Sequence, residues 1–155
     1  MKRASSKISL IALFAITFIQ IGAQLFALLV IVPTLVKDVP KSFQMLKGDY
    51  GYDSSTFWNT IPNITAFFFV VALIACWKTN ARIWIVISFA FFIASGVFAM
   101  TVVEPALAEL IANENNVNLN KMTATWWRYD WLLWALTLLA GLFLTKPIYE
   151  GLIKR

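Results

Sequence analysis

Histidine is absent from this 155-residue sequence, and cysteine occurs once, at Cys76. Without imidazole there is no His-ligated haem, no Glu-x-x-His di-iron pattern and no His-based copper or zinc site. A single thiol excludes an internal disulfide, a CxxC motif and thiolate zinc or iron–sulfur ligation. Beside Trp77 in an apolar run, Cys76 reads as a small core or lipid-facing residue. Gly-rich phosphate loops and a nucleophile elbow are also missing. No cofactor is therefore expected, and any chemistry would rest on carboxylates, arginine and aromatic walls.

Charge is the other scarcity: 14% of residues are charged and 60% are hydrophobic, where a soluble domain has about 25% and 45–50%. No charge occurs from Ile8 to Val36, from Ser54 to Trp77 or from Ile83 to Val103, and a shorter clear run covers Trp131 to Thr145. A spanning helix needs about 20 apolar residues at 1.5 Å each. The expected fold is all-α: an integral membrane four-helix bundle forming one transmembrane domain over residues 1–155. Its helices are expected at about 8–36, 57–77, 82–104 and 122–146. The first run is longer than the roughly 7–15 residues of a signal-peptide core, so it reads as an uncleaved helix.

The net charge of +5 is a matter of topology, not of nucleic acid. Lys2, Arg3, Lys7, Lys78, Arg82, Lys146, Lys154 and Arg155 stand against Glu150 on one side, eight against one, or +7. On the other side Lys37, Lys41, Lys47, Lys121 and Arg128 face Asp38, Asp49, Asp53, Glu104, Glu109, Glu114 and Asp130, five against seven, or −2. The positive-inside rule then places both termini in the cytoplasm of a multi-pass protein of the plasma membrane, of the bacterial inner-membrane type. The turn Lys78-Thr-Asn-Ala-Arg82 makes helices 2 and 3 antiparallel neighbours, flanked by Trp77 and Trp84 at headgroup depth. In the first outer loop Val39, Phe43 and Leu46 fit a short amphipathic helix, and Lys47 to Asp53 a turn. Leu107, Leu110 and Ile111 continue at helical spacing after Pro105, before a polar turn at Asn113 to Asn120.

Counting back from Lys146 at 1.5 Å per residue puts Asp130 some 5 Å below the outer hydrocarbon boundary, by the roughly 30 Å thickness of the core. Arg128 and Asp130, two apart on one helix, point to opposite sides and cannot neutralise each other. By the same count Glu104 ends helix 3 at the matching level and is the candidate partner of Arg128. Asp130 has no evident basic partner except Lys37 or Lys41 folding over the top. Gln20 and Gln24 on helix 1, and Asn59 and Asn63 bracketing Pro62 on helix 2, reach similar height. All four helices thus place polar groups in the outer half, while the inner half is nearly apolar. Amides in membranes often serve only as interhelical glue, and tryptophans as belt and packing residues, whereas ionisable groups mark function more often. The site expected here has Glu104 and Asp130 as general acid/base candidates and Arg128 as an electrostatic clamp. Gln20, Gln24, Asn59, Asn63, Trp58, Trp126 and Trp127 are its binding residues.

The order of motifs resembles the anthrone oxygenase-like family of small four-helix membrane proteins. The resembling parts are Gly22 to Pro33 leading into a loop, Phe57-Trp58 with Pro62 opening helix 2, and the short basic turn. Thr101-Val-Val-Glu104-Pro105 at the end of helix 3, then Trp127 ahead of Arg128, complete the series. The inventory of carboxylates, arginine and aromatic walls fits a lipophilic substrate with a polar or enolate-like head entering from the bilayer, and the resemblance implies binding or modification of a lipophilic small molecule. A non-catalytic subunit of a larger membrane complex, or a homo-oligomer, is the competing expectation, and membrane lipids are partners in either case.

Overall fold

The computed structural model describes residues 2–47, 51–113 and 116–152, without the side chains of residues 2–5 and 150–152. Asp49 and its neighbours in the expected turn, Glu114, and the charges of the extreme termini lie outside the described residues or side chains. The chain is all-helical, and four helical stretches are long and apolar enough to cross a membrane: Ser6–Val36, Ser55–Cys76, Ala81–Ala112 and Leu119–Tyr149. The first is built from α1 (Lys2–Phe26), a π-helical turn (Ala27–Ile31) and α2 (Val32–Val36). The second is α3 (Ser55–Cys76). The third comprises α4 (Ala81–Phe98), a π-helical turn (Ala99–Val103) and α5 (Glu104–Ala112), and the fourth is α6 (Leu119–Leu152).

Glu104 does not end the third span, as the sequence count supposed: the helix continues through Pro105 to Ala112. Proline is tolerated there because it sits in the first turn of α5, directly after the π turn. Its ring would collide with the carbonyl four residues back in an uninterrupted helix, and it has no N–H to donate. In the π turn the Glu104 N–H reaches back five residues to the Ala99 carbonyl, widening the turn where the ring must fit. The first span repeats the device, with Val32 N–H donating to the Ala27 carbonyl just before Pro33. Helix α6 also overruns its expected end, passing Lys146 and Pro147 to Leu152.

Two cores divide the molecule along its length. The inner one draws on all four spans: Leu10 and Leu13, Phe69, Ala72 and Cys76, Ile85 and Phe92, and Ala140 and Leu144 are buried together. Phe69 packs on Phe89 and Phe92 with ring centroids 5.0 and 5.2 Å apart. Close approach replaces bulk at Gly141, where an added Cβ would lie 2.6 Å from Ile21 and 3.2 Å from Phe18. Ser88 Oγ donates 2.6 Å across the bundle to the Ala140 carbonyl. At the turn between α3 and α4, Arg82 lies over Trp77, and Lys146 over Trp84 with its Nζ 5.6 Å from the ring centre.

The outer core contains no α3 residue. Val32, Leu35, Val103, Leu110, Leu119 and Trp126 close around Phe43 of a 3-10 helix, Lys41–Leu46, in the first outer loop. The amphipathic segment expected there is therefore an inserted cap: Phe43 is 1% exposed. Exposed Ile8, Ile11, Ile19, Phe26, Phe67, Ile74, Ile83, Val97 and Leu142 coat the outside of the bundle. In water such a coat is a liability, whereas in a bilayer it is the solvated face.

Candidate functional site

Because α3 joins the inner core but not the outer one, its first turns stand apart from their neighbours and leave a gap. Pro62 also leaves the Trp58 carbonyl without its helical N–H partner. The gap is a cavity of about 820 Å³, walled by all four spans and the first outer loop. Its size falls in the range of pockets that hold small organic ligands, roughly 300–1,000 Å³.

Both π turns open onto it: Ala27, Leu28 and Ile31 on one side, Ala99, Met100 and Val103 on the other. Phe92 and Ser95 rise from the inner core beneath them, and Leu46 and Tyr52 to Ser55 of the outer loop close the far end. The Tyr52 N–H donates 2.7 Å to the Met45 carbonyl and pins that closure. Lining residues of the first and fourth spans are all buried or half-buried, whereas Asn59, Asn63, Gly96, Met100 and Glu104 are exposed. The cavity therefore opens sideways between α3 and the third span.

Eight of the ten residues singled out in the sequence meet here: Gln20, Gln24, Trp58, Asn59, Asn63, Glu104, Trp126 and Asp130. Gln20 is buried at the floor, where its Oε1 lies 3.1 Å from Thr65 Oγ1 and shares that hydroxyl's single proton with the Ile61 carbonyl at 2.9 Å. Asn63 Nδ2 donates 2.6 Å to the Asn59 carbonyl, which leaves its Oδ1 as an acceptor. Gln24 Oε1 and Trp126 Nε1 are buried with no hydrogen-bond partner among the described residues. Asp130 is half-buried, and among the described residues it has neither an ion pair nor a hydrogen bond. Burial of a carboxylate and of orphan amide and indole atoms is costly unless something completes them.

Arg128 and Trp127 are not part of the cavity wall. Arg128 is exposed on the opposite side of α6, as its two-residue offset from Asp130 requires, and makes no ion pair with Glu104. The expected Glu104–Arg128 pair is thus not formed, and no clamp reaches the acids. Trp127 packs with the outer core instead, its Nε1 buried without an acceptor among the described residues. Nor do the lysines fold over Asp130: Lys41 lies 3.9 Å from Asp38, and Lys37 is exposed. No Lys or Arg side chain is among the cavity's lining residues.

Sequence reasoning missed Asp53, Phe92, Ser95, Gly96, Ala99 and Met100. Ser95-Gly96 in a charge-free run was the available signal, since small residues leave room beside a helix. Asp53 accepts from the Ser55 N–H at 2.8 Å, and that bond, with a second from the Ser55 hydroxyl, holds its carboxyl below the usual range. The mouth therefore keeps a negative charge at neutral pH. Among the described residues no group of three His, Cys, Asp or Glu side chains is placed to hold a metal ion.

Fold and cavity together define a small multi-pass helical membrane bundle with a side-opening pocket near one end. No protein-family model, no curated protein and no solved structure matches the chain.

Proposed function

We propose that this protein binds a lipophilic small molecule in the cavity between α3 and the third span, with both termini cytoplasmic and the cavity in the outer half of the plasma membrane. One observation carries the reading: polar residues from all four spans converge on a single apolar-walled space wide enough for a ligand. The apolar part of the occupant lies against Leu28, Val32 and Phe92, and its polar part meets Gln24, Asn63, Glu104, Trp126 and Asp130. Of the three residues with assigned chemistry, Glu104 and Asp130 keep their acid/base role toward a bound molecule. Arg128 drops out of the site. The resemblance to the anthrone oxygenase-like family points the same way, toward modification of a lipophilic substrate.

Gly96 offers the test, because a Cβ added there meets nothing within 4 Å and the residue lines the cavity. Gly96→Phe should fold normally and fill the opening. Purification in mild detergent followed by mass spectrometry should find a small molecule with the native protein and much less with Gly96→Phe. Recovery of a stoichiometric partner protein with no small molecule would favour the subunit reading instead. A lone, ligand-free monomer would count against both.

A further inference from the structure

The charged side chains among the cavity's described lining residues are all acidic. Asp130, Glu104 and, at the mouth, Asp53 line it with no cation among them. Neither Glu104 nor Asp130 has a partner among the described residues. Beside them stand two orphan atoms, the acceptor Gln24 Oε1 and the donor Nε1 of Trp126, a residue only 5% exposed. These groups specify the occupant. It must bring positive charge and N–H or O–H donors for the carboxylates and Gln24, one acceptor for the indole, and an apolar body for the walls. An anionic head would add a like charge where the dielectric is low. A neutral head would leave the carboxylates uncompensated. The opening between α3 and the third span gives a long tail an exit sideways, past Met100, which is 71% exposed.

Resting on the binding function above, we propose that the cavity selects amphiphiles with a cationic head, an alkylammonium group held by Asp130 and Glu104 with its chain leaving between α3 and the third span. The same ammonium chemistry is available from an aminophospholipid or from a free hydrophobic amine.

Three C12 probes differing only in the head decide it: dodecylamine, dodecanol and dodecanoate, titrated against the full chain in phosphatidylcholine nanodiscs. A change in tryptophan emission reports occupancy, since Trp58 and Trp126 line the cavity, and empty discs give the partitioning baseline. Dodecylamine should bind at least about tenfold more tightly than dodecanol, the minimum expected of a desolvated charge pair. Glu104→Gln with Asp130→Asn, both isosteric, should bring that preference to about twofold or less, through a loss of dodecylamine affinity. Adding phosphatidylethanolamine to the discs separates the sources: competition with dodecylamine assigns the site to a lipid head, and none assigns it to a free amine. Equal or tighter binding of dodecanol or dodecanoate, still weakened by Gly96→Phe, would overturn the cationic selectivity and leave the cavity as a binding site. An amine preference that survives the double substitution would overturn the role of these carboxylates. If no probe binds, or Gly96→Phe weakens none of them, the binding function itself fails.

Discussion

Asp130 and Arg128 show how two residues of one motif separate. They are two positions apart, about 200° around a helix, and α6 turns one into the cavity and the other outward. Gln20 and Gln24, four apart, stay together on one wall but differ in satisfaction. Gln20 has Thr65, whereas Gln24 Oε1 has no partner among the described residues. The first pair is structural, and its energy is that of interhelical hydrogen bonds in membranes, around 0.6 kcal/mol. Thr65→Val keeps the shape and removes the donor. Reversible unfolding in bicelles should show a loss of about 0.5–1.7 kcal/mol, with ligand binding retained. A much larger loss would mean that the floor of the cavity depends on this one bond.

At the scale of the element, the two π turns and Gly141 do most to shape the bundle. Each π turn inserts one residue into a helix, so the helix beyond it is rotated by about 100° relative to an unbroken one. Glu104 comes immediately after such a turn. Its place on the cavity wall follows that register shift, whereas its failure to meet Arg128 follows from Arg128 facing away on α6. Gly141 sets the contact of α6 with α1, since Ile21 and Phe18 lie where its side chain would be. Alanine there is accommodated by movement of the Ile21 methyl group, and it gains helix propensity. Leucine cannot be, and Gly141→Leu should push α1 from α6 at a cost of about 1–3 kcal/mol. Thermal unfolding in detergent should show a lower midpoint for leucine and little change for alanine.

The whole molecule is a bundle knitted at one end and opened at the other. Its inner core draws on four spans, its outer core on three and a loop, and the missing fourth is the cavity. The charge asymmetry predicts an orientation with both termini cytoplasmic, and labelling tests it. Cys76 is buried, so a Cys76→Ala background is expected to fold and gives a clean reporter. In intact cells Lys41→Cys should react with a membrane-impermeant maleimide, and Lys78→Cys only after permeabilisation. The opposite pattern would invert the topology and put the cavity in the inner leaflet.

The sequence by itself determined the four spans, because bilayer thickness fixes the length of a charge-free run and a few charges suffice to break it. It also put the polar groups toward one end of the bundle, although the count erred where the third span runs on past Glu104 to Ala112. Eight of the ten residues singled out in the sequence line the cavity. Only the tertiary structure decided which way each of them faces. Rotation about a helix axis depends on packing against neighbours and on the π turns before Pro33 and Pro105, neither of which a count along the chain contains. That is why Arg128 and Trp127, at the correct depth, stand outside the cavity. For the same reason Ser95, Gly96 and Met100, unremarkable in an apolar run, form its wall.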